Sequence, residues 1–477
     1  MIMKEHYERI IVACAFLLLF VNVGFNSTSF AIYQSHIVDL PGVGDVGGSV
    51  VVTVRTLVAF ICMFFTGIFY RRVNPRIGFF IATLFTAIAF VLFGCAQSFA
   101  GLCVAAFCGG IAYGFGGMVA STYLIGNWFR GKVGSVSGIA TMGSGVASIV
   151  IPLIAGWLID SFSLSTAFYA EAGFALVLAL LLLVFVRVKP QDIGLEPITH
   201  KAKDAAIRAA DTPCDEESGV VEGRKPETEG PSRTQDAASL AANDPSNALH
   251  KKHPHFHFHH VHHSHHAGPF AQPKVNLSSM PLPRGAYFVM IFALVLLGGV
   301  SVAGFNYFGI LLTTQGIDLG VAAALISLSG VFLTLSKFLV GVVCDKFGTL
   351  AGSFIFFILL VVAMVLCALV GAGGVPEAAA AAIVLGIGMP LGTTGIALWS
   401  LELSTPEQML KTIRHFQLAY AFGGFIFNLM PGVLCAITGT YTSSYVVMLV
   451  MTVICAIIVV TVYAQHIKRA QNAARKR

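Results

Sequence analysis

The sequence predicts an all-α membrane protein: twelve transmembrane helices in two pseudo-symmetric six-helix bundles. Three observations carry this. The 477-residue chain is 56% hydrophobic and only 11% charged, whereas a water-soluble domain carries roughly 25% charged residues. Twelve apolar runs each reach the ~20 residues that a helix needs to cross ~30 Å of hydrocarbon. Of the 29 Lys and Arg residues, only Arg55 and Lys337 fall inside those runs, and the others sit in alternate connecting segments.

The first run, about 10–33, is too long for a signal-peptide core and no small-residue cleavage site follows it. It is therefore expected to stay as span 1. Spans 2 and 3, about 48–70 and 77–96, flank the basic loop of Arg71, Arg72 and Arg76. Spans 4 and 5, about 100–125 and 133–159, are rich in glycine (Gly109, Gly110, Gly114; Gly138, Gly143, Gly145), which lets helices approach closely. Span 6, about 165–187, holds Glu171, the one acid well inside an apolar run. Spans 7 to 12 follow at about 286–313, 319–343, 350–372, 378–403, 416–437 and 443–465. None of the runs alternates with period two, as a barrel strand does. Helices are expected because a lipid-exposed segment must satisfy its own backbone hydrogen bonds.

Loop charge sets the orientation. The segments around 34–47, 97–99, 160–164, 314–318, 373–377 and 438–442 contain no Lys or Arg. The alternate segments do, so both termini and the central stretch are expected in the cytoplasm. The ten cysteines are scattered without a CxxC pair, so no disulfide framework is expected. The net charge of +6 follows membrane topology and does not call for nucleic acid.

Three regions follow: a first bundle over 1–188, a linker over 189–283 and a second bundle with a short basic tail over 284–477. The linker is rich in Ala, Asp, Glu, Pro, Ser and His without apolar periodicity, a disordered composition. Its histidines, among them His255, His257, His259, His260, His262 and His263, are candidates for weak divalent-metal binding. They lack the fixed spacing and Cys partners of a structural zinc site.

The bundles repeat in residues. Gly24-Phe25-Asn26 recurs as Gly304-Phe305-Asn306, Gly67 as Gly341, Gly110 as Gly386, and Gly145 with Pro152 as Gly424 with Pro431. The offsets stay between 274 and 280. Parallel repeats about an axis along the membrane normal place a substrate at their interface, near the midplane.

On these residues the chain resembles the major facilitator superfamily of transporters over all twelve spans. The superfamily's loop pattern, roughly G-x-x-x-D-[KR]-x-G, is matched after span 8 by Gly341, Asp345, Lys346 and Gly348. The copy after span 2 is degenerate, with Gly67 but Arg71 at the acidic position. Within the superfamily, three stretches resemble the bacterial monocarboxylate and oxalate/formate porters: Asn127-Trp128-Phe129-Arg130-Gly131-Lys132, the run from Lys189 to Pro197, and Pro431-Gly432 with Thr438-Gly439-Thr440-Tyr441. The resemblance implies a secondary carrier in the bacterial inner membrane, not an enzyme, without a cofactor and working as a monomer. Its expected partners are a small organic anion, a proton or counter-anion, and the lipid bilayer.

That branch usually has a basic residue four positions before the span 8 glycine, where this chain has Lys337. An intramembrane charge is costly and usually functional, so Lys337 and Arg55 are the first site candidates, with snorkelling to an interface as the alternative. Two departures bear on coupling. Leu333 stands where proton-coupled carriers tend to have Asp, and span 11 lacks the Lys of oxalate/formate exchangers. Leu333 inclines the expectation to anion exchange over proton symport. Asn26 with Tyr33, and Asn306 with Thr313, lie seven apart in the two helices that line the cavity of this superfamily. Tyr113, Trp399 and Tyr420 are further lining candidates, all with packing as the alternative. Glu171 is a candidate proton carrier. The sixth helix is normally peripheral, however, and a packing or lipid-edge role is expected. The rivals to an anion carrier are a divalent-metal exporter fed by the His tract and a non-transporting membrane sensor.

Overall fold

Each apolar run forms a helix, in a computed structural model that describes residues 7–129, 133–188, 190, 280–371, 374–405 and 408–475. The histidine tract, the Lys189–Pro197 motif apart from Pro190, and Arg130 with Lys132 lie outside the described residues. The spans are Tyr7–Ile32, Gly44–Arg72, Pro75–Cys95, Phe99–Trp128, Val136–Ser161 and Leu164–Phe185, then Arg284–Asn306, Leu319–Phe347, Thr349–Leu369, Val375–Glu402, Lys411–Thr438 and Thr442–Ala473.

Several spans are interrupted, and the local sequence gives the reason. Span 1 is α-helical over Tyr7–Leu19, widens to a π-helix over Phe20–Thr28 and tightens to a 3-10 turn over Phe30–Ile32. Span 4 divides at Gly117 into Phe99–Gly116 and Met118–Trp128. Span 7 ends at Asn306 and resumes as Phe308–Thr314. In span 10, Pro390 separates Val375–Gly388 from the π turn Leu391–Gly395, because its ring blocks a continuing α-helix. The breaks fall in spans 1, 4, 7 and 10, so they repeat between the halves. Broken helices put unpaired backbone near a binding site. Span 11 also breaks, into Met409–Phe427 and Met430–Thr438, ahead of Pro431. Its repeat partner Pro152 sits inside the continuous helix Val133–Ser161.

Packing repeats as well. Spans 1·5, 2·4, 3·4 and 3·6 pack in the first half, and 7·11, 8·10, 9·10 and 9·12 in the second. Glycines allow these approaches. A Cβ on Gly110 would run into the Arg55 carbonyl and Val58, and one on Gly386 into Phe332 and Leu333. Between the halves, span 5 packs on span 8 and span 2 on span 11, the two crossings that a two-fold axis exchanges. Gly309 sits against Ala31, Gly432 against Asp45 and Ser49, and Gly156 against Ala323. Tyr441 Oη donates to Asp45 Oδ1 at 2.7 Å. These contacts close the end of the molecule whose loops lack Lys and Arg. Three of the helices that reach the basic end, Tyr7–Leu19, Met118–Trp128 and Ile396–Glu402, make no comparable contact with the opposite bundle among the described residues.

One detail differs from the sequence reading. The last helix does not end near residue 465 but runs from Thr442 to Arg475. The basic tail is rich in Ala, Gln, Lys and Arg, which favour helix, so the span extends beyond its apolar part. The loop motif closes on Gly348, with φ of 88°. A side chain there would be strained, which accounts for a glycine in the last motif position.

Candidate functional site

Arg55 lies in the continuous helix Gly44–Arg72 and is only 3% exposed. It does not snorkel. Its guanidinium carbon sits 4.5 Å from the centre of the Phe30 ring, on the 3-10 turn of span 1. A ring face attracts a cation, and more strongly when water is excluded. The hydroxyls of Tyr113 in span 4 and Tyr307 at the break of span 7 are within electrostatic reach. Among the described residues no carboxylate pairs with Arg55, and one terminal nitrogen, Nη1, has no hydrogen-bond partner.

A polar set surrounds this charge at the junction of the halves. Tyr307 Oη donates to the Asn428 carbonyl at 2.8 Å. Asn428 Nδ2 reaches Thr56 Oγ1, one residue from Arg55, at 3.3 Å, and Asn306 Nδ2 reaches Asn428 Oδ1 at 3.4 Å. Tyr420 in span 11 lies within reach of Tyr113 and beside Ser301 of span 7, both next to Gly392 in the span 10 break. Spans 1, 2, 4, 7 and 11 thus meet around one cation, and span 10 joins the set through Tyr420.

Lys337 occupies the second crossing. Its Nζ donates to Ser144 Oγ at 3.2 Å and to the Thr141 carbonyl at 3.4 Å, both on span 5. Both partners are neutral oxygens, and no carboxylate pairs with Lys337 among the described residues. Helices Gly44–Arg72 and Leu319–Phe347 both start at the Lys/Arg-free end. Lys337 is seven residues further along its helix than Arg55 is along its own, ~10 Å of rise toward the basic end.

Other candidates turn away from this junction. Asn26 donates to Thr86 Oγ1 at 3.1 Å inside the first bundle. Tyr33 is fully buried, stacks on Phe168 at 4.3 Å and donates to Glu171 Oε1. Trp399 donates its indole N–H to Ser353 Oγ at 2.8 Å and stacks on Phe357, within the second bundle. Thr313 bonds back to its own helix at Gly309 and Ile310. Glu171 is 5% exposed and points inward, so the lipid-edge placement does not hold. In the loop motif, Asp345 and Lys346 are exposed, Lys346 lies over the Phe347 ring, and Arg71 Nε donates to the Gly67 carbonyl of its own helix. Sequence reasoning passed over Phe30, Tyr307, Asn428, Ser301 and Ser144. Tyr307 directly follows the repeated Gly-Phe-Asn, and Asn428 precedes Pro431, which are the signals in the sequence that pointed to them.

Comparison with known proteins places the chain. No curated protein matches it by sequence. Its fold is similar to that of the nucleoside transporter NupG, with a TM-score of 0.65 at 12% identity over 96% of this chain and 100% of that one. It is also similar to a D-xylose–proton symporter, with a TM-score of 0.62 at 13% identity over 94% and 96%. A POT family transporter in complex with 5-aminolevulinic acid gives 0.63 at 12% identity over 96% of each. Such identities show a shared fold. Residues 14–309, more than half of the chain, match the family model described as Major Facilitator Superfamily. With twelve spans, two repeated halves and a polar junction between them, the chain belongs to the major facilitator superfamily and is a membrane transporter of that family.

Proposed function

We propose that this transporter carries a small organic anion, a mono- or dicarboxylate, by alternating access, with Arg55 and Lys337 as its charge receptors. The observation that carries the reading is the buried Arg55 guanidinium with an unpaired nitrogen and, among the described residues, no carboxylate partner. An uncompensated buried cation is strongly disfavoured, and an anionic ligand removes the penalty. Guanidinium forks match carboxylates bidentately, while the Lys337 ammonium acts as a point charge. Two cations ~10 Å apart along the normal suit an anion that enters at one and leaves past the other as the halves rock. The same cations repel metal ions, which counts against a metal exporter.

Counterflow in proteoliposomes tests the reading. A labelled carboxylate is expected to exchange against unlabelled mono- or dicarboxylates, and not against sugars, nucleosides, dipeptides or divalent metals. Exchange confined to neutral solutes or metals contradicts it. Deleting residues 250–266 is expected to leave anion transport within about two-fold, since a stretch of that composition adds little packing. Metal sensitivity of cells lacking the tract, without carboxylate transport in any form, would favour the exporter instead.

The basic loops support a cytoplasmic position for the open end. In a chain freed of native cysteines, Ser163→Cys is expected to react with an impermeant thiol reagent in intact cells. Arg72→Cys, at the other end, is expected to react only after lysis. The reverse pattern would invert the orientation.

A further inference from the structure

Glu171 is the one acidic residue buried as a whole among the described residues, and the anion site does not use it. Tyr33 donates to its Oε1, and Oε2 has no partner. Its surroundings are aromatic. Tyr33 stacks on Phe168, which packs on Phe90 and Phe93. Arg55 does not pair with it, because its guanidinium lies over Phe30, and Phe30 in turn packs on Tyr33 at 5.9 Å. An ionised carboxylate without a counter-ion or a full set of donors is strongly disfavoured in such a place, and the neutral acid is not.

The other titratable groups on the packed elements face elsewhere. At the basic end, Arg76 donates to the Leu183 carbonyl and Tyr7 to the Phe185 carbonyl, more than ten residues along the helix from Glu171. Glu8, Arg9 and Cys14 belong to that end of span 1 too. Cys95 and Tyr169 pair with each other on an exposed face. His36, three residues beyond Tyr33, interacts with Asp39 and with Asp160 at the end of span 5. Among the described residues, Tyr33 alone reaches the carboxyl.

Closure of the Lys/Arg-free end runs through the same short segment. The Phe30–Ile32 turn that leads into Tyr33 carries Ala31, whose carbonyl abuts Gly309 of span 7. Ala31 stands two residues before Tyr33, so the contact that closes this end and the one that covers Glu171 share one segment. We infer that Glu171 is a proton-binding site of the transport cycle. Its carboxylate takes up one proton, forming the carboxylic acid with no other bond changed, as the Lys/Arg-free end closes, and releases it when that end opens. The site gives the carrier a route to proton coupling, although Leu333 stands where related carriers tend to have Asp. Coupling to anion movement rests on the anion reading; protonation of Glu171 does not.

Infrared difference spectra of the full-length protein in nanodiscs, recorded across a pH titration, test the two parts separately. The wild type is expected to show the carbonyl stretch of a protonated carboxylic acid that disappears as pH rises, and Glu171→Gln to lack it. Tyr33→Phe keeps the stack on Phe168 but removes the hydrogen bond, and is expected to displace the midpoint of that band. In proteoliposomes, Glu171→Gln is expected to retain anion counterflow while losing acceleration by external acid. A band that titrates identically in Glu171→Gln, no titrating band in the wild type, or unchanged acid acceleration in the variant would each overturn the inference. If no organic anion is carried, the infrared measurement still decides whether Glu171 binds the proton.

Discussion

Arg55→Gln and Lys337→Gln are each expected to lose most transport of the native anion while inserting into the membrane at normal abundance. A charge-assisted hydrogen bond contributes about 1.5–3 kcal/mol, so its loss weakens anion affinity by roughly 10–150-fold. Arg55 is the more deeply buried and keeps an unpaired nitrogen, so its removal should raise KM at least as far. Lys337→Arg is expected to keep part of the activity, because the carriers that the chain resembles place Arg there. If the two charges together receive a dicarboxylate, removing one should harm dicarboxylates more than monocarboxylates. Initial rates in proteoliposomes, normalised to inserted protein, measure this. A Lys337→Gln carrier with unchanged KM and rate would leave its contact with Ser144 as packing between spans 5 and 8.

Gly432→Val is expected to be the most damaging change at a position remote from the charges. A Cβ at Gly432 would run into Ser49 and the Asp45 backbone across the two halves. Backbone there cannot yield as the tip of a flexible side chain does, so the Lys/Arg-free end should fail to close. The halves still fold, because the contact lies between them and not inside either one. Transport is expected to fall to background while thiol labelling of a Thr56→Cys probe from outside rises. Normal transport with unchanged labelling would show that this end closes without the Gly432 contact.

The twelve spans were legible because an apolar run long enough to cross the bilayer has few other solutions. The repeat was legible because close crossings need glycine at fixed places, as Gly110 and Gly386 show. Arg55 and Lys337 stood out as charges where charge is expensive. Side-chain direction in the broken spans was not legible. Asn26 and Tyr33, seven apart, share a face only on a regular α-helix. Span 1 widens to i→i+5 bonding over Phe20–Thr28, which shifts every later residue around the axis. Tyr33 consequently turns to Glu171 instead of the junction. Trp399 follows a similar break in span 10 and turns to Ser353. Phe30 had no charge or motif to single it out, and its place over Arg55 depends on packing between spans 1 and 2.

Ligand-induced stabilisation of the purified carrier tests the central claim, that an uncompensated cation at the junction waits for an anion. Unfolding of the wild type is to be followed with a panel of carboxylates and with their uncharged amide analogues. Ligand bound to the folded state alone raises stability by RT ln(1 + [L]/Kd), about 2.7 kcal/mol at a hundred-fold excess over Kd. The account predicts stabilisation by at least one carboxylate, none by its amide, and loss of the effect in Arg55→Gln. Equal stabilisation by acid and amide, or an unchanged response in Arg55→Gln, would contradict it.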